Sequence, residues 1–80
     1  MIDEDDPRPP WVQLADSLRE RIRTGDLNGR MPSERTIHEE TGLAPVTIRK
    51  AIRKLRDEGL VVTVSGRGTF VKRDAGEPTG

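Results

Sequence analysis

The chain has 80 residues and a formal net charge of zero, which is enough for one domain around a modest core. Hydrophobic residues make up 31%, charged residues 35% and aromatics 2%, the composition of a helix-rich domain with polar ends. Cysteine is absent and His38 is the single histidine, so a disulfide framework, a thiolate zinc site and a histidine metal cluster are all excluded.

Residues 1–10 join an acidic run, Asp3–Asp6, to Pro7, Pro9 and Pro10. They hold almost nothing to bury and read as a flexible arm. No basic region leads into an apolar stretch there, so a secretory signal is not expected. No apolar run approaches the ~20 residues that span a bilayer, and a cytoplasmic location is the expectation. From Trp11 onward, Trp11, Leu14, Ala15, Leu18 and Ile22 recur at helical spacing, and Gly25 stops this first helix. In the short connection 26–31, Leu27 and Met31 are positioned to dock on the core. Ser33 caps a second helix over residues 34–41, with Ile37 inward and Glu34 complementing the helix dipole.

After a tight break at Gly42-Leu43, Pro45 starts a third helix over residues 45–58. A proline at the first helical position forfeits nothing, because its missing N–H would be unpaired there. Ala44 is then a poor cap. Ile48, Ala51, Ile52 and Leu55 share one face, Thr47 is placed on the exposed side, and Gly59 ends the helix. Leu60–Val64 and Thr69–Val71 are β-rich and flank a turn at Ser65-Gly66-Arg67-Gly68, which predicts a hairpin. A lone hairpin is marginal in water, so its apolar side must pack on the helices. The domain spans residues 11–73, and 74–80 read as a flexible tail.

The zero net charge hides a strong asymmetry. Residues 1–46 carry six Lys or Arg against ten Asp or Glu, a net of −4, whereas residues 47–73 carry eight against two, a net of +6. A polyanionic partner senses that local excess rather than the total. The fold class expected is mainly α with a small β-hairpin, a winged helix-turn-helix of three helices and a two-stranded antiparallel wing. A helix entering a major groove needs small or polar residues at its N-terminal end and an apolar back. Residues 33–58 supply both. A wing needs a glycine turn with a cation at its tip, and Gly66-Arg67-Gly68 supplies that.

Five spaced blocks carry a resemblance. They are Pro32-Ser33-Glu34-Arg35, Gly42-Leu43, Thr47-Ile48-Arg49-Lys50-Ala51-Ile52, Leu55-Arg56-Asp57-Glu58-Gly59-Leu60 and Gly66-Arg67-Gly68-Thr69-Phe70-Val71. Together they closely resemble the N-terminal DNA-binding domain of GntR-type bacterial transcriptional regulators, from about Trp11 to Val71. The resemblance implies sequence-specific binding of double-stranded DNA at a near-palindromic operator, by a homodimer formed in solution or only on DNA, with the regulator acting as a repressor. It implies DNA contacts from Arg35, from Ala44, Pro45, Thr47 and Arg49 at the start of the third helix, and from Gly66 and Arg67 in the wing. The chain departs from the family where Ala44-Pro45 stands in place of the common Ser-Arg, so base reading leans on Thr47, Arg49, Lys50 and Arg35. The family's C-terminal effector and dimerisation domain has no counterpart in these residues, so no small-molecule effector site or cofactor is assigned to them.

The same residues admit other readings. Arg35 can pair with Glu39 one turn on, Arg53 and Arg56 can be solvated or steer along the backbone, and Trp11 is assigned to the core. His38 is assigned to the surface. An enzyme is not expected, because Asp3–Asp6 sit on an arm with nothing to hold catalytic geometry. The alternative is a winged-helix protein–protein interaction module, which would require an apolar or acidic outer face on the third helix. That face is instead basic.

Overall fold

The computed structural model describes residue 3 and residues 5–72. The expected tail, 74–80, lies outside the described residues. Helix α1 is Pro10–Arg23, α2 is Glu34–Thr41 and α3 is Pro45–Asp57, followed by strands β1, Val61–Val64, and β2, Gly68–Val71. Three helices and a two-stranded antiparallel wing confirm the winged helix-turn-helix class. Among the described residues no helix is long and apolar enough to cross a membrane.

Local chemistry sets the helix ends. Pro10 takes the first position of α1, one residue ahead of the expected start. The Ser33 hydroxyl accepts the Thr36 N–H at 3.1 Å and caps α2. At the other end of α2, Gly42 adopts φ +74, a conformation open to glycine at no steric cost. The turn that follows is tied twice more: His38 Nδ1 donates to the Leu43 carbonyl at 2.7 Å, and Leu43 N–H donates to Thr41 Oγ1 at 3.1 Å. Ala44 provides no side-chain cap to α3, as its chemistry requires. The helix ends at Asp57, one residue short of expectation.

The two strands pair from Val61↔Val71 to Val64↔Gly68. Gly68 therefore belongs to the ladder, and the loop shrinks to Ser65-Gly66-Arg67. The hairpin also has a third member that the sequence did not reveal. Arg30 forms a bridge with Phe70, Met31 N–H donates to Thr69 O at 2.8 Å, and Val71 N–H donates to Gly29 O at 2.7 Å. Strand β2 is thus paired along both edges, which anchors the wing to the connection between α1 and α2.

The core gathers Leu14, Leu18 and Ile22 from α1, Leu27 and Met31 from the connection, Ile37 from α2, Ile48, Ala51, Ile52 and Leu55 from α3, and Val61 from β1. Trp11 packs half-buried against this cluster, as its assignment to the core anticipates. Arg19 clamps α1 to the far end of α3. Its guanidinium donates to both Glu58 oxygens at 2.7 Å and to Asp16 at 2.6 Å. That fork holds the Glu58 carboxyl below the usual carboxylate range, with Lys54 assisting. Buried Gln13 of α1 ties down the residues that precede the helix: it accepts the Asp3 N–H at 2.8 Å and donates to the Arg8 carbonyl at 3.0 Å, while Arg8 pairs with Asp6 and Asp16.

Two outcomes follow for stability. Leu55→Ala should cost ~2–5 kcal/mol, against ~1–2 kcal/mol for Gly42→Ala at its left-handed position, both read by urea denaturation. A carboxyl with a depressed native pKa stabilises above its unfolded value and loses that contribution as pH falls through the native one. Wild type should therefore exceed Glu58→Gln in melting temperature near pH ~7, with the gap closing below about pH 4.

Candidate nucleic-acid interface

Burying Ile48, Ala51, Ile52 and Leu55 turns the opposite stripe of α3 outward. At about 100° per residue, Val46, Lys50 and Arg53 lie on the side away from Ile48, with Arg49 beside them. These four line a hollow of ≈ 400 Å³ on the outer face of α3. A second concavity of ≈ 360 Å³ lies between α3, the start of α2 and the wing. Arg30, Arg49, Arg53 and Arg56 line it, together with Thr63 and Thr69 of the strands.

The arginines divide into two groups by their partners. Arg8, Arg19, Arg21, Arg23 and Arg35 each pair with a carboxylate on their own side of the molecule. Among the described residues Arg30, Arg53, Arg56 and Arg67 form no ion pair. Arg49 has only a long contact, 3.8 Å from Nε to Glu34, and a 3.4 Å bond to the Pro45 carbonyl. The concavity thus concentrates positive charge that the protein itself leaves largely uncompensated. Such a surface attracts a polyanion and releases its counterions on contact.

Packing aims these cations. Arg56 Nη1 donates to Thr63 Oγ1 at 3.2 Å, joining the end of α3 to the wing. Arg30 lies across the wing at Gly68, where an added Cβ would sit 3.4 Å from its Nε, and Gly68 has φ +116. Glycine there both permits the backbone angle and leaves room for the guanidinium. At the tip, the Arg67 N–H closes the turn onto Val64 O at 3.0 Å, and Gly66 supplies φ +75.

The expected site residues are dispersed over this surface. Ala44 and Pro45 are exposed at the start of α3, and Arg49 lines both hollows. Gly66 and Arg67 are exposed at the wing tip. Arg35 is 89% exposed but holds Glu39 at 3.1 Å, the ordinary helix pair foreseen as its other reading. Lys50 lines the outer hollow, yet its ammonium sits 4.7 Å from the centre of the Trp11 ring. An exposed cation–π contact of this kind is worth ~0.5–1 kcal/mol. Thr47 is half-buried rather than exposed, and the exposed neighbour is Val46. The reason is angular: residue 47 is about 100° from Ile48, and residue 46 about 200°. Arg30 was missed because nothing in the connection marks it. For Arg53 and Arg56 the sequence leaves solvation and steering along the backbone both open, because their shared concavity arises only when the wing folds against α3.

The family model described as bacterial regulatory proteins, gntR family, matches residues 11–71. The chain is 38% identical over 74 residues to the transcriptional repressor NagR of Bacillus subtilis, covering 90% of this chain and 30% of NagR. It is 35% identical over 69 residues to MngR of Escherichia coli, a repressor of mannosyl-D-glycerate transport and metabolism, covering 84% of this chain and 29% of MngR. Among solved structures, the AraR DNA-binding domain in complex with operator ORR3 superposes with a TM-score of 0.78 at 30% identity, covering 90% of this chain and 89% of that one. The chain spans about three-tenths of the length of these two curated relatives.

Neutralising one unpaired arginine should act on every duplex alike. Arg30→Gln and Arg53→Gln should each weaken binding to any sequence and lower the slope of log affinity against log salt by about one unit. Arg23→Gln, which removes a cation already paired on α1, should leave that slope unchanged.

Proposed function

The chain belongs to the gntR family of bacterial regulatory proteins, and from that membership we propose that it binds double-stranded DNA at a specific sequence and regulates transcription. The observation that carries this reading is the concavity between α3 and the wing, where four arginines converge with little compensating charge. We place α3 in the major groove, its N-terminal end toward the base edges. The wing then lies against the neighbouring backbone or minor groove, with Arg67 and the Gly66 backbone as its contacts. Arg30, Arg53 and Arg56 grip phosphates between the two.

Base reading falls to Arg49 and Thr47, with Lys50 joining once it leaves the Trp11 ring and Arg35 once it leaves Glu39. Ala44 and Pro45 contact the groove without hydrogen bonds from their side chains. The operator is a near-palindrome occupied by two copies of the chain, and regulation is repression, the role that NagR and MngR carry in their names. The likeness to AraR's DNA-binding domain, solved in complex with operator ORR3, supports the DNA reading.

Selection from a random duplex pool tests this reading, followed by affinity measurement on the enriched and scrambled sites at two salt concentrations. A two-fold symmetric site bound at least ~10³-fold more tightly than the scrambled control is expected. Absence of binding even at low salt would favour the protein-contact alternative. On the enriched site, Arg49→Ala should reduce discrimination against wrong bases by ~1–3 kcal/mol. An equal loss on every duplex would make Arg49 a phosphate contact instead.

A further inference from the structure

The start of α3 presents carbon where a groove-reading helix ordinarily presents hydrogen-bonding groups. Ala44, Pro45 and Val46 follow one another, all three are exposed, and none carries a side-chain donor or acceptor. Val46 is 69% exposed, well above the other exposed large hydrophobic residues, Val62 at 40% and Val64 at 39%. Its place on the helix keeps it from the core whatever its rotamer, since it projects from the side opposite Ile48. A β-branched residue also has lower helix propensity than the straight-chain residues that normally fill such a position. Neither helix formation nor packing in this fold accounts for valine there.

The surroundings narrow what would cover it. Val46 shares its ≈ 400 Å³ hollow with Arg49, Lys50 and Arg53. An apolar group ringed by three cations suits a partner that is anionic at its perimeter and carries one apolar projection at its centre. The major groove of a DNA duplex has that form. Phosphates line its walls, and the C5 methyl of thymine is the apolar feature its base edges display.

We infer that Val46 packs against the C5 methyl of a thymine in each half-site and is a specificity-determining residue of this chain. The inference rests on the DNA reading proposed above and deepens it. Ala44 and Pro45 exclude water on one side of the contact, while Arg49 and Arg53 hold the flanking backbone or neighbouring bases. Cytosine would present its amino donor with no methyl, and valine offers that donor no acceptor.

The experiment replaces each thymine of the selected duplex, one at a time, by deoxyuridine, which removes only the methyl group. Wild type should lose roughly fourfold in affinity at one position per half-site, the effect of uncovering a single methyl. Val46→Ala should bind the thymine and uracil duplexes equally at that position, with an unchanged salt dependence. Val46→Thr, which keeps one methyl branch, should retain part of the sensitivity. Insensitivity of the wild type at every thymine, or full wild-type sensitivity in Val46→Ala, overturns the inference while leaving DNA binding intact. Failure of the wild type to bind any duplex overturns the DNA reading, and this inference with it.

Discussion

Docking of α3 on α1 governs the rest of the molecule. Ile48, Ala51, Ile52 and Leu55 lie on one face of α3 and bury against Leu14, Leu18 and Ile22 of α1 and Ile37 of α2. Once that face is committed, helix geometry leaves no choice about the other. Val46, Arg49, Lys50 and Arg53 must face outward. The Arg19–Glu58 fork fixes the far end of α3 to α1 and limits its rotation. Core packing and surface chemistry are thus one constraint seen from two sides of a single helix.

The allocation of charge is the second half of the same design. Carboxylates cluster in the first half of the sequence, where, with Glu58 added at the end of α3, they neutralise the arginines of α1 and α2. The arginines of α3 and of the residues before α2 are left facing the wing. A domain with no net charge consequently has a face that behaves as a cation. Pairing of Arg30 with Phe70 in the backbone ladder makes this possible, because it places Arg30 beside residues from the other end of the chain. The wing therefore has two tasks: it contributes Val61 to the core and completes one wall of the basic concavity.

Much of this was legible in advance where the controlling chemistry is local. Ser33, Gly42, Pro45 and Gly59 announce helix ends because caps and left-handed positions depend on one or two residues. The inward stripe of α3 follows from period alone. Features that depend on distant segments were hidden. The third edge of the sheet is only a three-residue stretch, Gly29–Met31, too short for any alternation to register. Lys50 reaches the Trp11 ring only after α1 and α3 have packed. Val46 is a different case. Its outward angle follows from period alone, but an apolar side chain lacks the hydrogen-bonding groups that mark a base-reading position, and Thr47 next to it has them.

The central claim is that α3 and the wing, rather than α1, form the surface that meets DNA. Backbone amide shifts of the isotopically labelled chain, followed by NMR during titration with the selected duplex, test it most directly. Shift changes concentrated at residues 30–35, 44–56 and 63–68, with residues 12–23 nearly unmoved, are the result this account requires. Changes centred on α1, with α3 unaffected, would contradict it.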